Sequence, residues 1–170
     1  STIETMEINI NCDLGEKSKH HSNKYDPDLL EIVNSANVAC GYHAGDVSTM
    51  HDVVQISKKN GVSIGAHPSF NDPKNFGRER IYLTSYEVKK LIYDQYDILQ
   101  KISIQHGQNV THIKPHGALN NMACEDIELA TTLAEFTISS KSGSYLLEWC
   151  SDFSPKSQFI LISIVLIVEV

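Results

Sequence analysis

The sequence has no basic excess. Its 170 residues carry 14 lysines and arginines against 21 aspartates and glutamates, a formal net charge of -7, whereas a surface that neutralises nucleic-acid phosphates needs the opposite balance. No C-x-x-C pair occurs among Cys12, Cys40, Cys124 and Cys150. That spacing supports neither a zinc knuckle nor a disulfide framework, and reduced, mostly buried thiols are expected. The apolar stretch FILISIVLIV at 159–168 falls far short of the ~20 residues that a membrane-spanning helix needs, so no membrane partner is expected. Residues 1–7 contain no basic region followed by an apolar one, which argues against a secretory signal and makes a cytoplasmic location the expectation. What is present is ordinary for a globular domain. Hydrophobic residues make up 41% and charged residues 21%, enough apolar material for one packed core and too little charge for a disordered chain.

The apolar residues recur with two periods in alternation. Residues 6–12 alternate Ile8 and Ile10 with polar neighbours, a strand pattern. Residues 26–34 read as a helix with Leu29, Leu30, Ile32 and Val33 on its apolar face. Residues 36–40 are a second short apolar run, followed by Asp46 as a helix cap and by Val47, Met50, Val53 and Val54 at helical spacing, with Gly61 as the stop. Residues 62–66 are a third strand candidate. The Pro-, Asn- and Gly-containing loop at 68–82 is long enough to suspect function. Thr84 and Glu87 form a capping box that opens a helix ending near Gly107. Residues 110–113 are a fourth strand, and 118–136 a single helix. Strand and helix thus alternate four times, the order of a parallel sheet with crossover helices, either a β/α barrel or an open doubly wound sheet. Beyond residue 136 the chain becomes serine-rich, and residues 159–168 read as a strand or an aggregation-prone segment.

Polar residues gather where the four strands end: Asn11, Asp13 and Glu16 after the first, Asn37 and His43 after the second, His67 after the third, Lys114 and His116 after the fourth. In parallel α/β folds these ends open on one face, which carries the active site. Each residue alone has a plain structural reading. A histidine next to Gly or Pro serves as a turn or cap residue, an acidic residue suits a helix N-terminus, and a lysine suits a surface. Three histidines in three successive units, in the contexts HAG, GAHP and KPHG, favour a shared site. His20, His21, His51, His106 and His112 lack such settings and are expected at the surface. Carboxylates with imidazoles can hold a divalent metal and activate water, or act without metal as general acids and bases beside a charge-stabilising lysine. No H-E-x-x-H or other closed metal motif occurs, and the metal stays undetermined.

The segments INCDLGE at 10–16, SANVACGYHAGD at 35–46, GAHPSF at 65–70, FGR at 76–78 and HIKPHGAL at 112–119 resemble, in order and separation, those of the LamB/YcsF family. The resemblance implies a parallel β/α-barrel-like fold, similar to carbohydrate-processing and deacetylase proteins. It implies the activity of an ATP-dependent 5-oxoprolinase, in which the chain is the A component and cleaves 5-oxoproline to L-glutamate together with subunits B and C. It also implies ATP as cofactor, with magnesium expected alongside it. Carried over by motif, Asp13, Glu16, His43, His67 and His116 are the catalytic candidates. Asn11, Asn37, Arg78 and Lys114 are the substrate- or phosphate-binding ones. Asp13 or Glu16 is read as the base, the three histidines as proton-transfer groups, and Lys114 and Arg78 as anion contacts. No G-x-x-x-x-G-K-[ST] loop marks a place for the nucleotide.

The chain also departs from the family. Asn120 stands where the family has tyrosine, and Glu79 where it has a second arginine. Later family segments resembling EVFADR and TICVHGD are missing. The expected organisation is therefore an incomplete barrel of about four βα units at 1–136 followed by an atypical tail at 137–170, as a truncation or frameshift would produce. Two other functions fit the residues: a metal-dependent carbohydrate or amide hydrolase or deacetylase, and an inactive remnant.

Overall fold

A computed structural model describes residues 9–140 and, beyond them, the backbone of two further strands. The elements follow in the order β1 (Asn11–Leu14), α1 (Asp26–Leu29), β2 (Ser35–Ala39), α2 (Val47–Asn60), β3 (Ser63–His67), α3 (Ser85–Gln105), β4 (Val110–Ile113), α4 (Gly117–Glu125), α5 (Ile127–Ser139), β5 (Leu146–Cys150) and β6 (Ser163–Ile167). The strands form one sheet in sequence order. β1 to β5 pair parallel and β6 runs antiparallel to β5. The architecture is α/β, a parallel barrel-like sheet that does not close among the described residues. No helix among those residues is long and apolar enough to cross a membrane.

Local chemistry sets the long helices. Asp46 accepts the Thr49 N–H at 2.7 Å and opens α2. Gly61, at φ 70°, closes it in the left-handed conformation that only glycine adopts freely. Thr84 and Glu87 form the reciprocal capping box of α3. The apolar stripes of α2 and α3 bury Val53, Val54, Ile92 and Leu99 against Val38, Ile64 and Ala66 of the sheet.

Three sequence expectations are corrected. The first strand is Asn11–Leu14, later than expected at 6–12; residues 1–8 lie outside the described ones. The helix expected at 26–34 is a single turn, Asp26–Leu29. The Asn34 side chain accepts the Ile10 N–H at 2.9 Å and its own N–H donates to Ile10 O at 2.8 Å, which pulls the chain into β2. Leu30 and Val33 reach the core while Ile32 stays 68% exposed, so the apolar cluster marks a turn, not a helix face. The helix expected at 118–136 is two, divided at Asp126. This residue is in the extended conformation, and its carboxylate accepts the N–H groups of Glu128 and Leu129.

Candidate active site

The register of the parallel strands aligns Asp13 with Asn37, Asn37 with Gly65, and Gly65 with His112. One row of residues thus crosses four strands. Gly65 supplies the gap in that row. With no side chain there, the His112 ring crosses β3 and its Nε2 reaches Asn37 Oδ1 on β2 at 2.8 Å.

Ionisation fixes the rest of this network. Asp13 takes two hydrogen bonds from the Lys114 ammonium, at 2.7 and 2.9 Å, and one from Asn37 Nδ2 at 2.9 Å. Burial opposes its charge, but the His67 imidazole and the Lys114 ammonium beside it, with these bonds, hold the carboxyl down at about 2. A carboxylate only accepts, so the Asn37 amide must present its NH2 to Asp13 and to Asn11 Oδ1, 2.9 Å away. Asn37 Oδ1 then faces His112, whose Nε2 must carry the proton. Its Nδ1 in turn lies 2.9 Å from the Thr111 hydroxyl. Burial pushes the His112 imidazole down to about 4, so it is neutral at physiological pH. This corrects the expectation of a surface His112: it is 3% exposed. His51 and His106 form a partly buried pair with ring nitrogens 2.9 Å apart, while His20 and His21 are exposed as expected.

The second group surrounds Glu16. Its Oε1 lies 3.1 Å from His43 Nε2, 3.6 Å from His67 Nε2 and 3.4 Å from His116 Nδ1. The two nitrogens of His67 and His116 are 3.0 Å apart. His67 turns its other nitrogen to the Lys114 carbonyl at 2.6 Å, and His116 to the Phe76 carbonyl at 2.9 Å. Burial lowers the His67 pKa and pushes His116 down to about 3. Burial also works against Glu16, but the His43 hydrogen bond and the imidazoles of His67 and His116 keep its carboxyl below the usual range. The His43 ring stacks on His116 with centroids 3.9 Å apart. The donor atoms of Glu16, His43, His67 and His116 all lie within 4.8 Å of one another and are the residues that could hold a metal ion.

Asp13, Glu16, His43, His67, Lys114 and His116 therefore meet at the carboxyl ends of the strands, with Asn37 attached through Asp13 and Asn11 through Asn37. Arg78 stands apart at the rim, exposed, its guanidinium 5.8 Å from the Phe76 ring centroid. The loop between β3 and α3 carries roles that sequence reasoning missed. Phe76, at φ 57°, is the one residue other than glycine with positive φ among those described, and it delivers the carbonyl that holds His116. Buried Gln95 on α3 grips both backbone groups of Ser69, at 3.0 and 2.9 Å, and fixes the start of that loop. The buried Asp72 carboxylate binds the N–H groups of Asn75 and Glu79. Among the described cysteines, Cys40 is buried and its thiol pushed up to about 12 by that burial, Cys12 is half-buried, and Cys124 is exposed, against the expectation of burial.

The LamB/YcsF family pattern matches residues 8–151. The chain belongs to this family. It is 41% identical over 130 residues to the 5-oxoprolinase A subunit of Staphylococcus carnosus, covering 76% of this chain and 52% of that protein. With the 5-oxoprolinase A subunit of Rhodopseudomonas palustris it shares 45% identity over 130 residues, 76% of this chain and 51% of the relative. The crystal structure of the lactam utilization protein from Thermus thermophilus superposes with a TM-score of 0.76 at 35% identity, covering 81% of this chain and 56% of that one. The chain thus spans about half the length of the curated relatives it matches. As a LamB/YcsF chain its likeness is to hydrolase-type proteins, and the word subunit in the relatives' names implies an assembly of several chains.

Proposed function

We propose that this site opens the lactam ring of 5-oxoproline to give L-glutamate, driven by ATP hydrolysis, as the A component of a 5-oxoprolinase working with subunits B and C. The observation that carries the reading is the meeting of a lysine, two carboxylates and three imidazoles at the strand ends of a chain whose relatives are named as 5-oxoprolinase A subunits. A lactam carbonyl is a weak electrophile, and transfer of the ATP γ-phosphoryl to its oxygen makes the carbon attackable. Water adds there, the ring nitrogen leaves with a proton, and a second water releases phosphate from the resulting acyl phosphate.

The proton work falls to Glu16 and the imidazole beside it. Asp13, held at about 2, is a poor proton acceptor at neutral pH. The base role therefore falls to the Glu16–His43 pair, joined at 3.1 Å, while the backbone partners of His67 and His116 leave one ring nitrogen of each facing the site. Asp13 instead holds Lys114 where developing negative charge needs a cation. Arg78 at the rim serves an anionic group entering from solvent. The nucleotide, carried with magnesium, takes its main contacts from another component of the assembly, since the chain has no phosphate-binding loop of the G-x-x-x-x-G-K-[ST] type.

The test joins residues 1–136 to the second half of the S. carnosus relative, with subunits B and C, ATP, magnesium and 5-oxoproline supplied. ATP-dependent glutamate release is expected, with Lys114→Ala and His116→Gln each lowering kcat by roughly 100-fold or more. A folded chimera that yields no glutamate, beside an active intact relative, removes the reading.

A further inference from the structure

Hydrogen-bond polarity around His67 and His116 leaves an unbalanced site. Each imidazole gives one N–H to a backbone carbonyl, His67 to Lys114 O at 2.6 Å and His116 to Phe76 O at 2.9 Å. A carbonyl oxygen only accepts, so in both neutral rings the remaining nitrogen carries a lone pair. Those two nitrogens face one another at 3.0 Å, and Glu16 Oε1 sits 3.6 and 3.4 Å from them. Three electron-pair donors converge on one point with no proton of their own between them. Such an arrangement needs a cation.

The dimensions identify the cation. An ion bound tetrahedrally at about 2.0–2.1 Å from nitrogen and oxygen ligands holds them about 3.3–3.4 Å apart. The three separations here bracket that value. The surroundings fit as well. Metal-binding imidazoles usually give their second N–H to a carbonyl or carboxylate, which fixes tautomer and ring orientation, and both rings do so here. His43 stands behind Glu16, stacked on His116, with Nε2 3.1 Å from the same carboxylate oxygen. We propose that Glu16, His67 and His116 bind a divalent transition ion of the zinc type as a His2Glu set, with His43 orienting the carboxylate and one coordination position left for water or substrate. Imidazole-rich donors favour this class over magnesium, which prefers oxygen ligands throughout.

The inference is independent of the lactam reaction, because binding is measured without turnover. The full chain, stripped with a chelator and checked for fold by circular dichroism, is titrated calorimetrically with Zn2+, Co2+ and Mg2+. One Zn2+ per chain, visible d–d absorption from Co2+ and no heat from Mg2+ are expected. Glu16→Gln and His116→Gln should each weaken Zn2+ binding by roughly tenfold or more, while His51→Ala, which breaks the 2.9 Å His51–His106 pair elsewhere on the surface, should leave it unchanged. X-ray absorption at the zinc edge of the unmutated chain should count two imidazoles, a result that holds even if a variant fails to fold. A folded chain that binds no Zn2+ would show that a shared proton fills the gap and overturns the proposal. So does binding that depends on His51 in place of Glu16 and His116, or fewer than two imidazoles at the ion.

Discussion

Gly65 decides whether His112 can reach Asn37. A Cβ at that position would overlap the His112 ring at Nε2, Cδ2 and Cε1, so Gly65→Ala must expel the imidazole from its place across β3. Overpacking of this kind costs about 1–3 kcal/mol. The expected result is a lower urea midpoint at unchanged slope; a variant as stable as the parent would mean that the ring moves aside freely. Asp13 gives a pH signature. Its folded value of about 2 lies below the ordinary 3.8, so its contribution to stability is complete above 3.8 and is lost as pH falls toward 2. Asp13→Asn should flatten the acid limb of a denaturation series across that window and lower stability at neutral pH. An acid limb as steep as the parent's would assign the transition to other carboxylates. Most of the candidate site's membership was legible in sequence, because His43, His67 and His116 stand at or just after successive strand ends, each within two residues of Gly or Pro. His112 was not recognised, although period-two alternation puts residues 112 and 114 on one face of the β4 strand and its continuation. The role of Phe76 had no such signal: it acts through a carbonyl, and nothing in a side-chain pattern reports where a carbonyl points.

At the level of elements, capping chemistry was the most readable feature. Asp46, Gly61 and the Thr84–Glu87 box all stand where sequence put them, since each is a local contact between residues a few positions apart. Asp126 is a cap of the same kind inside a run that otherwise reads as continuous helix, and its presence turns one helix into two. Asp126→Ala should therefore cost about 1 kcal/mol and speed amide exchange in the first turn of α5 more than in α4. Equal acceleration in both would show that the two helices open together. α1 failed as a sequence reading for the opposite reason. Its length is set by the pairing of Asn34 with Ile10, 24 residues away in sequence, which no local pattern contains.

For the molecule as a whole, the sheet is open at β1, which pairs only with β2 among the described residues. An uncovered parallel strand offers a row of unsatisfied backbone groups to any other chain. The 170-residue chain by itself should self-associate with rising concentration in sedimentation experiments. A chain that stays a monodisperse monomer at every concentration would contradict this expectation. The ion pair between Asp13 and Lys114 joins residues separated by 101 positions, and it spans the sheet from β1 to the end of β4. Long loops close slowly, and contacts of large sequence separation form late. The groups of the candidate site therefore come together only after β1 and β4 have docked, so a partly folded chain does not assemble it.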